Sequence, residues 1–173
     1  MSNAVILFLA LYGFLIAERL LELVRARRNE ELARQEGGQE FDALGYRWIV
    51  LMHVCWLIAL PLEFYFIGGL PRIWIWILAL VVLVEIMRLW TLYSLGRYWN
   101  TKVIVIPGMK PVKRGPYRWL RHPNYLVVVA ELLFIPLLFG CYFTCIFFSL
   151  LNLVVLARRI RIEEKAWERN GSL

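Results

Sequence analysis

The side chains best suited to chemistry lie in two polar stretches of the C-terminal half of the chain. The first, from Gly115 to Tyr125, has the sequence GPYRWLRHPNY and follows directly after Arg114. It is cationic, it is stiffened by two prolines, and it carries three aromatic residues and a histidine. The chain then turns apolar, apart from Glu131 and a few uncharged polar residues, until Arg158 opens the second stretch. We expect the chemistry where such a rigid cationic segment adjoins an apolar one.

A helix that begins near Pro123 would create a site for an anion. Its first turn has unpaired N–H groups and the positive end of the helix dipole. With Arg118 and Arg121 nearby, this end of the helix suits a carboxylate or a phosphate. Rings around it can stack on a heterocycle or surround a cation. These rings belong to Tyr117, Trp119, His122 and Tyr125.

The second stretch supplies carboxylates. Arg159 and Glu163 are spaced i,i+4, so they share one face of a predicted terminal helix. Glu163 and Glu164 can hold a ribose diol or an amine. A ligand with a carboxylate, an amine, a ribose, an adenine and a cationic centre would use all of these groups, and S-adenosylmethionine is such a ligand. The residues alone leave a second interpretation open, a basic loop that orients the protein and binds anionic lipid headgroups.

Composition places the chain in a membrane. Of its 173 residues 61% are hydrophobic, and the mean hydropathy is +0.61. Several apolar runs approach the ~20 residues that cross a bilayer. The N-terminal run leads into Glu18 and Arg19 rather than a cleavage site, which predicts a retained span and not a signal peptide.

Two other classes of partner are disfavoured. The net charge of +7 is typical of basic cytoplasmic loops in a membrane protein, and no nucleic-acid module is visible. The three cysteines, Cys55, Cys141 and Cys145, lack metal-ligand spacing. The composition therefore predicts membrane lipids as partners, with no nucleic acid and no metal.

The predicted fold is all-α, a polytopic membrane protein that forms one domain over residues 1–173. About five transmembrane helices are expected, followed by a cytoplasmic C-terminal amphipathic helix. The spans are Ala4–Leu23, Trp48–Ile67, Ile73–Leu95, Pro123–Phe139 and Tyr142–Ala157. Residues 1–95 thus hold three spans, and residues 96–173 hold a ligand-binding loop, a helical hairpin and the terminal helix. The last two spans are short, so their hairpin is either tilted or partly re-entrant.

The connections carry three local signals. Residues 29–46 predict a loop with a short helix that ends at Gly37 and Gly38. Gly68 to Pro71 predicts a tight turn that joins the second and third spans into an antiparallel hairpin. The apolar, β-branched run from Val103 to Ile106 predicts a short extended segment.

Polar residues within the spans are expected to face the bundle interior. Glu18, Arg19 and Glu22 share a helix face and predict an ion-pair cluster that ends the first span or helps to frame a pocket. Glu85 and Arg88 are spaced i,i+3 and are predicted to pair with each other. The second span also contains a histidine, His53, which we expect to be a hydrogen-bonded structural residue.

Lysine and arginine residues give the orientation. Of the 20 lysine and arginine residues, four lie in residues 25–34, seven in residues 97–121 and five from residue 158 onward. The loops on the other side of the membrane contain only Arg72. By the positive-inside rule the three rich segments are cytoplasmic. The N-terminus is therefore predicted outside and the C-terminus in the cytoplasm, with the chain in the cell (inner) membrane.

The two polar stretches together resemble the isoprenylcysteine carboxyl methyltransferase family. The resemblance extends over residues 95–167, and the related phospholipid methyltransferases share the broad plan. Its elements are Val112, Gly115, Tyr117, the run Arg121-His122-Pro123-Asn124-Tyr125, and Arg159-x-x-x-Glu163-Glu164.

This resemblance implies S-adenosylmethionine as the cofactor and a role for each matching residue. The residues implied to bind the cofactor are Lys110, Val112, Tyr117, Arg121, His122, Pro123, Asn124, Tyr125 and Glu163. The segment from Lys110 to Val112 would act partly through its main chain. Arg159 would orient the nucleophilic oxygen of a lipophilic small-molecule substrate. Glu164 is the second catalytic candidate, in a supporting role.

The acceptor follows from details of the resemblance. Leu126 to Val129 stand where many family members have a glycine, and LGRYWNTKVIVIPG is similar to small bacterial members that accompany type III polyketide synthases. This implies an O-methyltransferase for alkylpyrones or phenolic lipids. The alternatives are carboxyl methylation of a prenylcysteine-like substrate and a non-enzymatic lipid-binding membrane scaffold. An ionised acceptor needs no base, whereas a phenol needs one, for which Glu164 and His122 are the candidates.

Overall fold

The protein is built from five helices, a small sheet and two turns of 3₁₀ helix. The computed structural model describes residues 2–169. Its helices are α1 (Asn3–Gln35), α2 (Ala43–Ile67), α3 (Trp74–Leu95), α4 (Pro123–Leu138) and α5 (Tyr142–Arg169). Within the described residues, α1, α2, α3 and α5 are long and apolar enough to cross a membrane, and α4 is a shorter apolar helix. The chain is therefore a mostly helical integral membrane protein, and the fifth span remains a prediction.

Helix α1 is longer than its predicted span. It continues through the charged residues after Leu23 to Gln35, so the separate short helix predicted for residues 29–46 is wrong. Arginine and glutamate are good helix formers, and the first strong breaker is Gly37, whose φ of 82° lies in the left-handed region. A helix of 33 residues is about 50 Å long, so its last turns extend beyond a hydrocarbon core of about 30 Å.

The five helices confirm the predicted all-α architecture, to which the chain adds a small two-stranded antiparallel sheet. Strand β1 (Gln39–Phe41) pairs with β2 (Val103–Val105), with Glu40 opposite Ile104. The predicted extended segment is confirmed as β2, but its partner was missed because the sequence QEF has little strand character. Val103 and Val105 are buried against Ala166 of α5. The sheet thereby fixes the loop after α3 to the C-terminal helix.

Helices that are consecutive in the chain are not always the ones that pack along each other. Helix α3 packs along α4, α4 along α5, and α2 along α5. The short connection that was predicted after Gly68 joins α2 to α3, although α2 packs along α5. Two hydrogen bonds show that α2 and α5 are antiparallel. At one end Arg158 donates to Asp42 (2.8 Å), and at the other the Thr144 N–H donates to Glu63 (2.7 Å).

An apolar core fills the half of the bundle that lies away from the sheet. It brings together residues from all five helices, with Phe8 stacked on Phe64 at 4.0 Å between ring centroids. The predicted terminal amphipathic helix is the uninterrupted continuation of α5 to Arg169. Its cytoplasmic position stays a prediction.

Buried charges link α1, α3 and α4. Arg88 is 3% exposed and donates to Glu22 (2.6 and 2.7 Å) and to Glu131. Arg19 bridges the same two carboxylates at 2.8 Å each. The predicted Glu85–Arg88 pair is therefore wrong, since the partners of Arg88 come from other helices. The predicted Arg19–Glu22 pair is confirmed, although it lies within α1 and not at its end.

Candidate functional site

The loop that leads into α4 is held against α3 by a glycine. Gly115 has a φ of 54°, and a Cβ atom at this position would lie 2.0 Å from Ser94 Oγ. Only glycine allows this close approach, which is why the motif begins there. A turn of 3₁₀ helix, Gly115–Arg118, follows, and α4 starts at Pro123 without a side-chain cap from His122. The Tyr125 and Leu126 N–H groups donate to the His122 carbonyl (3.1 and 3.4 Å), and Pro123 has no N–H. Within residues 2–169 the Asn124 N–H is therefore the first-turn donor that remains for a ligand.

The structure brings the two polar stretches together through Tyr125. Its hydroxyl donates to the Glu163 carboxylate and accepts from Arg159 Nε at 3.4 Å. The His122 ring stacks on the Tyr125 ring, with centroids 5.2 Å apart, and its Nδ1 lies 3.7 Å from Glu163. Arg159 and Glu163, which were predicted to share one helix face, thus both contact the Tyr125 hydroxyl.

A cavity of about 140 Å³, the polar cavity, lies between the α4 entrance, the sheet and α5. Predicted site residues form half of its lining: Val112, Tyr117, Arg121, His122, Asn124, Tyr125 and Glu163. The other half was not predicted: Leu95, Trp99, Asn100, Lys102, Val103, Ile104 and Trp167. Part of its wall thus comes from the loop directly after α3.

Several polar atoms in this wall have no partner. The Tyr117 hydroxyl, His122 Nε2 and Trp99 Nε1 are buried and make no hydrogen bond within residues 2–169. Burial, together with the negative charge of Glu163, raises the pKa of Tyr117 well above its ordinary value, so its hydroxyl stays protonated. A hydrogen bond to Glu30 raises the pKa of Lys102, which stays cationic. The cavity therefore offers donors, a carboxylate and a cation to a polar ligand.

A second, mostly apolar cavity of about 240 Å³ adjoins the first, and we call it the apolar cavity. It lies between α1, α2, α4 and α5, with Ile49, Val54 and Leu57 among its apolar walls. Four residues line both cavities and form a shared wall between them: Trp99, Asn100, Asn124 and Tyr125.

Arg159 presents an unpaired guanidinium nitrogen at the apolar cavity. The side chain lines this cavity although the residue is only 4% exposed. Its Nη2 donates to the Thr101 carbonyl at 2.8 Å, whereas Nη1 is buried without a hydrogen-bond partner in the described part of the chain. A buried unpaired cation is costly, so this position favours an anionic or strongly polar ligand atom.

Three predicted site residues lie away from both cavities. Lys110 is exposed, and Pro123 is buried as the first residue of α4. Glu164 lies 3.5 Å from Arg121 and 3.7 Å from His122 Nε2, outside both cavity linings. Glu164 therefore has basic neighbours, Arg121 and His122, but it does not line the apolar cavity.

Trp99 and Asn100 are the important residues that sequence reasoning did not assign. The Asn29 side chain of α1 holds this turn by donating to the Trp99 carbonyl (2.7 Å) and the Gly96 carbonyl (3.3 Å). The signal was present as the aromatic and polar run YWN directly after α3. On α1, Arg19 and Glu22 line the apolar cavity, so the prediction that their cluster helps to frame a pocket is confirmed. The apolar residues of α2 that line this cavity carried no such local signal.

Comparison with known proteins agrees with this geometry. The model of the isoprenylcysteine carboxyl methyltransferase (ICMT) family matches residues 76–169, which include both polar stretches. A Bacillus subtilis (strain 168) protein, named uncharacterized protein YpbQ, is 44% identical over 161 residues, covering 92% of this chain and 96% of the relative. A Haemophilus influenzae protein, also named as uncharacterized, is 28% identical over 90 residues, covering 51% of this chain and 52% of its own. No solved structure matches. The chain belongs to the isoprenylcysteine carboxyl methyltransferase family.

Proposed function

We propose that the protein is an S-adenosylmethionine-dependent O-methyltransferase with a lipophilic acceptor. The observation that carries this proposal is the pair of adjoining cavities, one polar and one apolar, with a common wall. The methyl donor is a polar nucleoside and the acceptor is a lipid, so each needs its own kind of cavity. The two cavities must adjoin where the methyl group is transferred. Asn124 and Tyr125 lie in that wall.

The polar cavity suits the cofactor. S-adenosylmethionine supplies an electrophilic methyl group on a sulfonium. The stacked rings of His122 and Tyr125 offer a face to a heterocycle, and Glu163 can accept hydrogen bonds from ribose hydroxyls or an amine. The unpaired Tyr117 hydroxyl can donate to the ligand, and Arg121 together with the Asn124 N–H at the start of α4 can hold its carboxylate.

The apolar cavity suits the acceptor. Its apolar walls can hold an alkyl chain, and Arg159 Nη1 can donate to the acceptor oxygen. A charged hydrogen bond of this kind orients the oxygen and offsets the cost of burying negative charge. Holding both reactants at the shared wall could account for several kcal/mol of the barrier, within the roughly 7–11 that alignment can supply.

The acceptor and the orientation belong to the same proposal. The resemblance to small bacterial family members favours an alkylpyrone or a phenolic lipid, and membrane lipids surround the protein. The basic residues that lie beside the polar cavity favour a cytoplasmic C-terminus, an external N-terminus and the cell (inner) membrane. The cofactor would then enter from the cytoplasm and the acceptor from the bilayer.

The test is a methyl-transfer assay on detergent-solubilised protein with three acceptors, an alkyl-hydroxypyrone, an alkylphenol and farnesylcysteine, analysed by mass spectrometry. We expect methylation of the first or second. Arg159→Ala should lower the rate at least about a hundredfold, the scale of a lost orienting contact. Arg161→Ala is the matched control, since Arg161 is exposed on the same helix.

Two results would contradict the proposal. The first is the absence of any methylated product together with no rise in melting temperature on adding S-adenosylhomocysteine, which is the outcome expected of a lipid-binding scaffold. The second is an unchanged rate for Arg159→Ala. Methylation of farnesylcysteine alone would keep the enzyme but replace the acceptor.

A further inference from the structure

His53 of α2 presents a free basic nitrogen to the apolar cavity. Its Nδ1 lies 2.8 Å from the carbonyl oxygen of Ile49, one turn earlier in the same helix. A carbonyl can only accept a hydrogen bond, so Nδ1 carries the proton and Nε2 of the neutral ring keeps its lone pair. Nε2 has no hydrogen-bond partner in residues 2–169, and the ring lines the apolar cavity. This nitrogen can therefore accept a proton from a ligand.

The other possible proton acceptors in this cavity are occupied or weak. Glu22 accepts from Arg88 at both oxygens (2.6 and 2.7 Å) and from Arg19 at 2.8 Å. Tyr46 and Tyr125 are phenols, which are poor bases at neutral pH. The candidates that the sequence suggested, Glu164 and His122, lie outside this cavity. Among the described lining residues, His53 is thus the group suited to take a proton.

The position of His53 is compatible with an acceptor held at Arg159. The Tyr46 hydroxyl is 3.3 Å from Thr101 Oγ1, and Arg159 donates to the Thr101 carbonyl, so Tyr46 and Arg159 lie at one level. His53 follows Tyr46 by roughly two turns, about 10 Å along α2. Side chains lean toward the N-terminus of their helix, and α2 and α5 are antiparallel, so His53 and Arg159 lean toward each other. Both residues line the apolar cavity.

We propose that His53 is the general base for acceptors that arrive as neutral hydroxyls, such as a phenolic lipid. This inference rests on the proposed function. When the acceptor oxygen bonds to the methyl carbon, the carbon–sulfur electron pair stays on sulfur, and the hydroxyl proton moves to His53 Nε2. The positive charge lost from the sulfonium thus reappears on the imidazolium. An acceptor that is already ionised transfers no proton and does not need His53.

Charged groups from four helices surround the ring. The charged residues that line the same cavity are Arg19, Glu22, Arg88 and Arg159, and Glu131 of α4 is bonded to Arg19 and Arg88. The dependence of the rate on pH measures the role of His53 in the presence of these charges.

The experiment compares wild type with His53→Gln on two acceptors. An alkylphenol has an ordinary pKa near that of tyrosine, about 10, whereas a 4-hydroxy-2-pyrone is an acidic enol that is ionised at neutral pH. At pH 7 the variant should lose roughly a hundredfold or more in kcat/KM on the phenol, as removal of a general base does. It should lose less than about threefold on the hydroxypyrone, which needs no base. Raising the pH toward the pKa of the phenol should restore much of the lost rate.

Independent readouts separate a base from a structural residue. The variant should keep the rise in melting temperature with S-adenosylhomocysteine, because the polar cavity is untouched. For wild type, kcat/KM on the phenol should fall at low pH as Nε2 is protonated, and the profile on the hydroxypyrone should not show this limb. The wild-type comparison needs no variant, so a folding defect in His53→Gln leaves the test intact.

Three outcomes would overturn the inference while the proposed function stands: equal losses on both acceptors, full activity of the variant on the phenol at pH 7, and methylation by wild type of ionised acceptors alone. Failure of wild type to methylate any acceptor, without any response to S-adenosylhomocysteine, would instead overturn the proposed function itself.

Discussion

Replacing Arg88 by methionine should destabilise the protein strongly. Arg88 is 3% exposed and makes three hydrogen bonds, two to Glu22 and one to Glu131, which is itself 3% exposed. Without Arg88 these two carboxylates and that of Glu18 share the single cation of Arg19. Removing one partner of a buried ion pair costs about 3–5 kcal/mol. For a chain of this size that corresponds to a fall of roughly 6–20 °C in melting temperature.

The measurement is the thermal unfolding of detergent-solubilised protein, followed by circular dichroism. Arg27→Met is the matched control, since Arg27 is exposed on α1 and should change the stability by less than about 0.5 kcal/mol. The double variant Arg88→Met/Glu131→Leu removes one cation and one carboxylate together, so it should recover at least half of the loss. A melting temperature of Arg88→Met within about 2 °C of the control would refute the reasoning. So would a double variant that is less stable than the single one.

Three further predictions concern the two cavities. Gly115→Ala should lower the melting temperature by several degrees and abolish the response to S-adenosylhomocysteine, because its Cβ would lie 2.0 Å from Ser94 Oγ; a normal thermal shift would contradict this. Tyr125→Phe keeps the ring but loses the bond to the Glu163 carboxylate, so calorimetry should show about tenfold weaker binding of S-adenosylhomocysteine; unchanged binding would exclude a role for that bond. Leu57→Trp narrows the apolar cavity and should raise KM several-fold for long-chain acceptors while leaving S-adenosylhomocysteine binding unchanged; an equal effect on both ligands would count against separate cavities.

The helices could be predicted from the sequence because each has a local signal. Apolar runs place α2 and α3 within a few residues, and Pro123 marks the start of α4 correctly. Gly37 ends α1 and Gly140 separates α4 from α5, both with positive φ. The small sheet was only half predicted, since β1 becomes a strand only through pairing with β2.

Partners that come from distant helices could not be predicted. Glu85 is near Arg88 in sequence, but the guanidinium reaches Glu22 of α1 and Glu131 of α4 because α3 packs along α4 with α1 beside them. His53 likewise gives no local sign of a role, since its bond to Ile49 lies within its own helix. Its relation to Arg159 depends on α2 packing along α5, which the order of the helices in the chain does not indicate.

The two cavities draw on different parts of the chain, and this explains why family membership leaves the acceptor open. All residues that line the polar cavity fall between Leu95 and Trp167, inside the matched region of residues 76–169. Half of the apolar cavity lies outside that region, on α1 and α2, and this half includes His53 and Leu57. The family match therefore covers the proposed cofactor site, whereas α1 and α2 supply half of the proposed acceptor site. The Bacillus subtilis relative matches 92% of the chain, so the similarity to it extends beyond the family region into the N-terminal helices.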